Sequence, residues 1–105
     1  SITIYFNRAQ KKLYLSEIIY VESFNHCTFF HTAEGVFKTA RPLKDFSDEL
    51  LKNSCFFRCG QSFLINSTKI QSYNDEIIQL ENGEFVRIPV RIRKEIKKTL
   101  TELLN

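Results

Sequence analysis

Three polar side chains stand where this chain is expected to turn, and each can form hydrogen bonds outward. His26 follows Asn25 at a predicted hairpin tip, and its imidazole can donate or accept. Gln61 lies in an irregular stretch between Cys55 and Ile70, and its amide can hold the N6/N7 edge of an adenine at two points. Arg91 comes directly after Pro89-Val90, at the expected start of the last helix, where a guanidinium can grip guanine O6/N7. Singly, each would be an ordinary surface group; a joint role requires all three on one face, which spacing alone does not show.

Other chemistry is poorly supported. Gly60-Gln61-Ser62 has half of a nucleophile elbow, but Phe63-Leu64 follows where the second glycine belongs, so no catalytic residue is assigned. Cys55 and Cys59 are not in the CxxC spacing of a zinc knuckle, and His26 and His31 would point to opposite faces of an extended strand. No metal and no cofactor is therefore expected. The ten phenylalanines fall mostly at strand-interior or helix-stripe positions and read as core rather than base-stacking platforms. Membrane association through the last helix is disfavoured, because its apolar stripe is needed to cover a sheet.

The elements that would position these residues are short strands closed by a helix. Ile2–Phe6, Lys12–Leu15, Ile18–Val21, Cys27–Thr32, Val36–Thr39, Ile70–Tyr73, Ile77–Leu80 and Phe85–Ile88 read as strands, separated by turn-forming residues. In Cys27–Thr32, Cys27, Phe29 and His31 share one face, and Thr28, Phe30 and Thr32 the other. Asn82-Gly83 is the strongest hairpin signal and predicts a type I′ turn. Pro42 with Leu43, Phe46, Leu50 and Leu51 predicts a short amphipathic helix over about 42–52. Ile92, Ile96, Leu100, Leu103 and Leu104 predict a second over about 91–104. The fold class is mainly β, in one domain spanning 1–105.

Composition narrows the setting. The 105 residues carry 15 Lys+Arg and 12 Asp+Glu, for a net charge of +3. Residues 1–50 are neutral, whereas Glu84–Lys98 holds Arg87, Arg91, Arg93, Lys94, Lys97 and Lys98 against only Glu84 and Glu95. Such a stripe attracts phosphate whatever the overall charge, although most charge runs are simply solvated faces. Three cysteines without a disulfide framework fit a reducing cytoplasm. The first residue is Ser1, so the chain is expected to be a piece of a longer protein.

Longer runs carry a family resemblance. Ile18-Ile19-Tyr20-Val21-Glu22-Ser23, then Phe56-Phe57-Arg58-Cys59-Gly60-Gln61-Ser62-Phe63-Leu64-Ile65-Asn66, then Asn82-Gly83 through Ile88-Pro89-Val90-Arg91, resemble the signatures of the LytTR DNA-binding domain in order along nearly the whole chain. Leu43 to Leu51 matches that family's leucine-rich helical segment. The resemblance implies an elongated domain of small packed antiparallel sheets. It also implies the output domain of a bacterial transcription regulator in a two-component phosphorelay, behind an N-terminal phosphoacceptor receiver. Such domains reach into successive major grooves of double-stranded DNA, in pairs on direct-repeat promoter sites. Carried over by position, the base readers would be His26, Gln61 and Arg91. Arg58 and Asn66 would brace the central loop, Ser62 would meet phosphate, and Lys69, Arg93, Lys94 and Lys97 would be further phosphate partners. The sequence departs from the family at Gly60-Gln61, where His followed by Arg or Asn is common. The competing reading is a β-rich protein-interaction module whose basic face is merely solvated.

Overall fold

The computed structural model describes residues 1–104. A central antiparallel sheet of five strands is covered on both faces. Its strands are β3 (Ile18–Phe24), β4 (Cys27–Thr32), β5 (Gly35–Thr39), β6 (Phe56–Arg58) and β7 (Phe63–Asn66), in the spatial order β5-β4-β3-β7-β6. One face carries the hairpin of β1 (Ile2–Phe6) and β2 (Ala9–Leu13) and the helix α1 (Lys44–Leu51). The other carries a sheet of β8 (Ile70–Tyr73), β9 (Ile77–Leu80) and β10 (Phe85–Arg87), with the helix α2 (Arg93–Leu104). The outline is elongated, 41 × 25 × 23 Å.

Two hydrophobic cores follow from strand alternation. Val21, Phe30, Phe56 and Leu64 point toward Ile4, Leu13, Phe46 and Leu50. Tyr20, Phe57 and Ile65 point the other way, toward Ile78, Val86, Ile96 and Leu100. Each fully buried side chain of this size contributes about 1.5–3 kcal/mol relative to exposure. A register irregularity between Ile18 and Tyr20 breaks the alternation once. Ile18 packs in the first core, while Ile19 and Tyr20 both pack in the second. A bulge does this by adding a residue to one strand only.

Both helices form as the spacing predicts, with shorter bounds. A 3-10 turn at Val90–Ile92 precedes α2, so Arg91 sits in that turn rather than in the helix. Leu43, Phe46 and Leu50 are buried, but Leu51 is exposed. Ile96 and Leu100 are likewise buried, whereas Leu103 and Leu104 are exposed. The first hairpin is tighter than expected: β2 already begins at Ala9, because Asn7 and Arg8 alone make the turn in left-handed backbone.

The turn at Asn82-Gly83 is not type I′. Only Gly83 has a positive φ, +86°, and Leu80 and Glu84 close a three-residue loop through the Leu80 N–H to Glu84 C=O bond. The Asn82 carboxamide oxygen accepts the Glu84 N–H at 3.1 Å, which holds Asn82 outside the left-handed region. The stretch from Cys55 to Ile70, irregular in sequence, is the β6–β7 hairpin followed by a 3-10 turn at Ser67–Lys69.

Candidate nucleic-acid interface

Chain direction gathers the turns at one end of the central sheet. β3 runs toward that end and closes at the tip Asn25-His26, whose φ values of +52° and +64° are those of a type I′ turn. Histidine adopts this backbone more readily than bulky or β-branched residues, so His26 is held exposed at the apex. β7 pairs antiparallel with β3, Phe63 opposite Glu22, which brings the preceding β6–β7 loop beside the base of that tip. There the Ser23 N–H donates to the Ser62 carbonyl at 2.8 Å. The Cys59 N–H donates to the Phe63 carbonyl at 3.0 Å and closes the loop that displays Gln61.

The third segment arrives from β10. Gly60 is left-handed at φ +79°, and a Cβ there would lie 3.7 Å from Pro89 Cγ and 3.9 Å from Ile92 Cδ1. The central loop and the Pro89–Ile92 turn are therefore neighbours. Between them lies a depression of about 220 Å³ lined by Arg58, Gly60, Gln61, Arg91, Ile92 and Glu95. Gln61 and Arg91 thus share one concavity, and the His26 tip stands at the same end of the sheet. Arg58 is exposed on that concavity. The backbone bonds just described brace the loop, a role expected of Arg58. Ser62 is exposed beside Gln61 and gives its carbonyl to that bracing.

The model of the LytTr DNA-binding domain family matches residues 8–101. The chain belongs to that family. Among solved structures, a LytTr DNA-binding domain of a response regulator from Bacillus cereus superposes with a TM-score of 0.78. It is 22% identical and covered over 94% of each chain, so the fold is shared. No curated protein matches the sequence.

In this LytTr domain two of the expected accessory residues lie at the other end of the sheet. Asn66 is buried at the far end of β7. Its Nδ2 donates to the Ile18 carbonyl at 2.9 Å, and its Oδ1 accepts from the Thr68 N–H and hydroxyl. It staples β7 to the start of β3 and caps the following 3-10 turn, so it does not brace the Gln61 loop. Lys69 follows in that turn and lines a depression with Glu17, Glu34 and Glu81. A depression with three acidic residues and a single lysine makes a poor phosphate seat. Lys69 therefore leaves the group.

The basic stripe also divides. Arg93, Lys94 and Lys97 line a shallow groove against Asp75 and Glu76 of the β8–β9 turn. Arg93 additionally donates from Nε to the Ile88 carbonyl at 3.2 Å. The sequence marks Asn74-Asp75 as a turn, but nothing in its spacing places those acids against α2. Glu95, on the concavity with Arg58 and Arg91, was equally invisible as a site residue. Its helical position reads only as solvated.

A stacked aromatic pair lies beneath this end of the sheet. Tyr20 stacks on His31 with ring centroids 4.0 Å apart, and His31 Nε2 lies 2.7 Å from Glu22 Oε1. Burial, then the nearby Glu22 and Glu84 carboxylates, push the Tyr20 phenol well above its usual range. Burial pushes the Cys59 thiol up to about 11. No helix among the described residues is long and apolar enough to cross a membrane.

Proposed function

We propose that this LytTr domain recognises specific sequences in double-stranded DNA and serves as the output of a bacterial transcriptional response regulator. In this reading His26, Gln61 and Arg91 meet base edges in the major groove, while Arg58, Ser62, Lys94 and Lys97 position the duplex through phosphate. The observation that carries it is the meeting of Gln61 and Arg91 in one concavity beside the His26 tip. Three chain segments far apart in sequence present base-reading side chain types at a single end of the molecule. The regulator would be cytoplasmic, with a receiver domain preceding this one, and pairs of domains would occupy direct repeats.

The test is selection of bound duplexes from a random-sequence pool, followed by salt titration on the selected duplex, a mismatched duplex and single-stranded RNA. Sequence-specific readout predicts enrichment of a motif, and a mismatch penalty of about 1–3 kcal/mol per base pair. Equal affinity for all three nucleic acids would leave only a charged surface. Motif spacing in the enriched pool tests the paired arrangement: direct repeats one helical turn apart, about 10–10.5 base pairs, support it.

A further inference from the structure

Two large apolar side chains are left in water at the same end of the molecule as the polar readers. Phe24 is 68% exposed and Val90 75% exposed. Phe24 immediately precedes the Asn25-His26 tip, and Val90 immediately precedes Arg91. Local structure does not require either to be apolar. Phe24 ends β3 opposite Cys27, and Val90 opens a 3-10 turn with no buried residue.

Alternation fixes the direction of Phe24. Tyr20 and Glu22 share the face of β3 on which Tyr20 stacks with His31 and contacts Phe63, so Phe24 projects from that same face. This is the face that bears β10, the Pro89–Ile92 turn and α2. Phe24 is one residue beyond Ser23, which is bonded to Ser62, and Val90 is one residue beyond Pro89, which meets Gly60. The two apolar groups therefore flank the Gln61 loop on opposite sides.

From this placement we infer that Phe24 and Val90 contact thymine 5-methyl groups in the major groove, so that the bound sequence holds thymines at positions beside those read by His26 and Arg91. The thymine methyl is the one apolar group that a major groove offers, and only A·T pairs display it. An exposed Phe or Val gains from covering it, and a polar base edge gains nothing from either. The inference rests on the DNA-binding reading above and adds to it the identity of bases that the hydrogen-bonding residues do not specify.

The experiment uses the duplex that the wild-type domain enriches from a random pool, synthesised with thymine or with deoxyuridine at each thymine position in turn. One buried methyl corresponds to about fourfold in affinity. Deoxyuridine at the flanking positions is expected to weaken wild-type binding by about that factor for each contacted methyl. Phe24→Ser and Val90→Ser each abolish the difference at one position, and Phe24→Leu, still apolar, keeps part of it. Because both residues are exposed, these variants retain the fold. An enriched duplex whose binding ignores deoxyuridine at every position, or serine variants that keep the full thymine preference, would overturn the inference and leave base reading intact. Failure to enrich any sequence would instead remove the reading on which it rests.

Discussion

Ser23 and Ser62 are joined backbone to backbone, the N–H of one donating to the carbonyl of the other at 2.8 Å. This bond ties the hairpin that ends in His26 to the loop that presents Gln61. Recognition then incurs a smaller ordering cost than two independent loops would.

The left-handed backbone of His26, φ +64°, sets a trade-off between stability and recognition. Glycine relieves the steric cost of about 1–2 kcal/mol but returns part of it as unfolded-state entropy. His26→Gly is expected to raise the unfolding free energy by about 0.5 kcal/mol while abolishing selectivity at its base. Denaturant melts paired with binding to the selected duplex would show both; a destabilised variant would mean that the ring packs rather than reads.

Arg91→Ala is expected to cost about 1–3 kcal/mol on the selected duplex and little on random duplex. Parallel titrations separate the outcomes. Equal losses on both would assign Arg91 to phosphate alone.

Two lysines in different surroundings should behave differently. Lys97→Ala is expected to lower the salt-dependence slope of binding by about one unit without altering base preference. Lys69→Ala, at the far end among Glu17, Glu34 and Glu81, should leave both unchanged. The measurement is affinity across a series of salt concentrations, and a fallen slope for Lys69→Ala would place DNA on that end too.

Asn66→Ala strands the Ile18 carbonyl and the Thr68 N–H that the amide now satisfies. The expected loss is about 2–4 kcal/mol of stability, with base preference unaltered in the remaining folded protein. Urea unfolding checks the first and binding at low temperature the second.

The raised Cys59 thiol gives a pH dependence. Its folded value of about 11 stands above the ordinary 9.0, so the unfolded chain releases this proton first as pH rises. Cys59's contribution to stability is therefore complete below pH 9 and declines as pH rises to about 11. Cys59→Ala should flatten that decline in denaturant melts. At about pH 8.5, iodoacetamide should label the partly exposed Cys27 and Cys55 and spare Cys59 until the protein unfolds.

How far the sequence disclosed this arrangement depended on where burial is one-sided. Cys27–Thr32 alternates legibly because Thr28 and Phe30 face a core while Cys27 and Phe29 are only half-covered. The β6–β7 hairpin was illegible for the opposite reason. Phe56-Phe57 and Leu64-Ile65 each send one residue into each core, so no polar face remains to mark a period of two. Asn25-His26 could be read as a tip from residue type alone, while the Asn82-Gly83 loop turned on a side-chain bond to Glu84. Of the site, the residue types were readable and the grouping was not. Asn66 and Gln61 are five positions apart, yet β7 carries one to each end of the sheet.

The two cores share their load through the same strands. Val21 and Tyr20, Leu64 and Ile65, Phe56 and Phe57 are chain neighbours that belong to opposite cores. Loss of the cover on either face exposes the apolar side of the shared strands, so the molecule is expected to open in one step. The resilience of the recognition end is consequently set in part by Phe46 and Leu50, on the face that carries none of the readers.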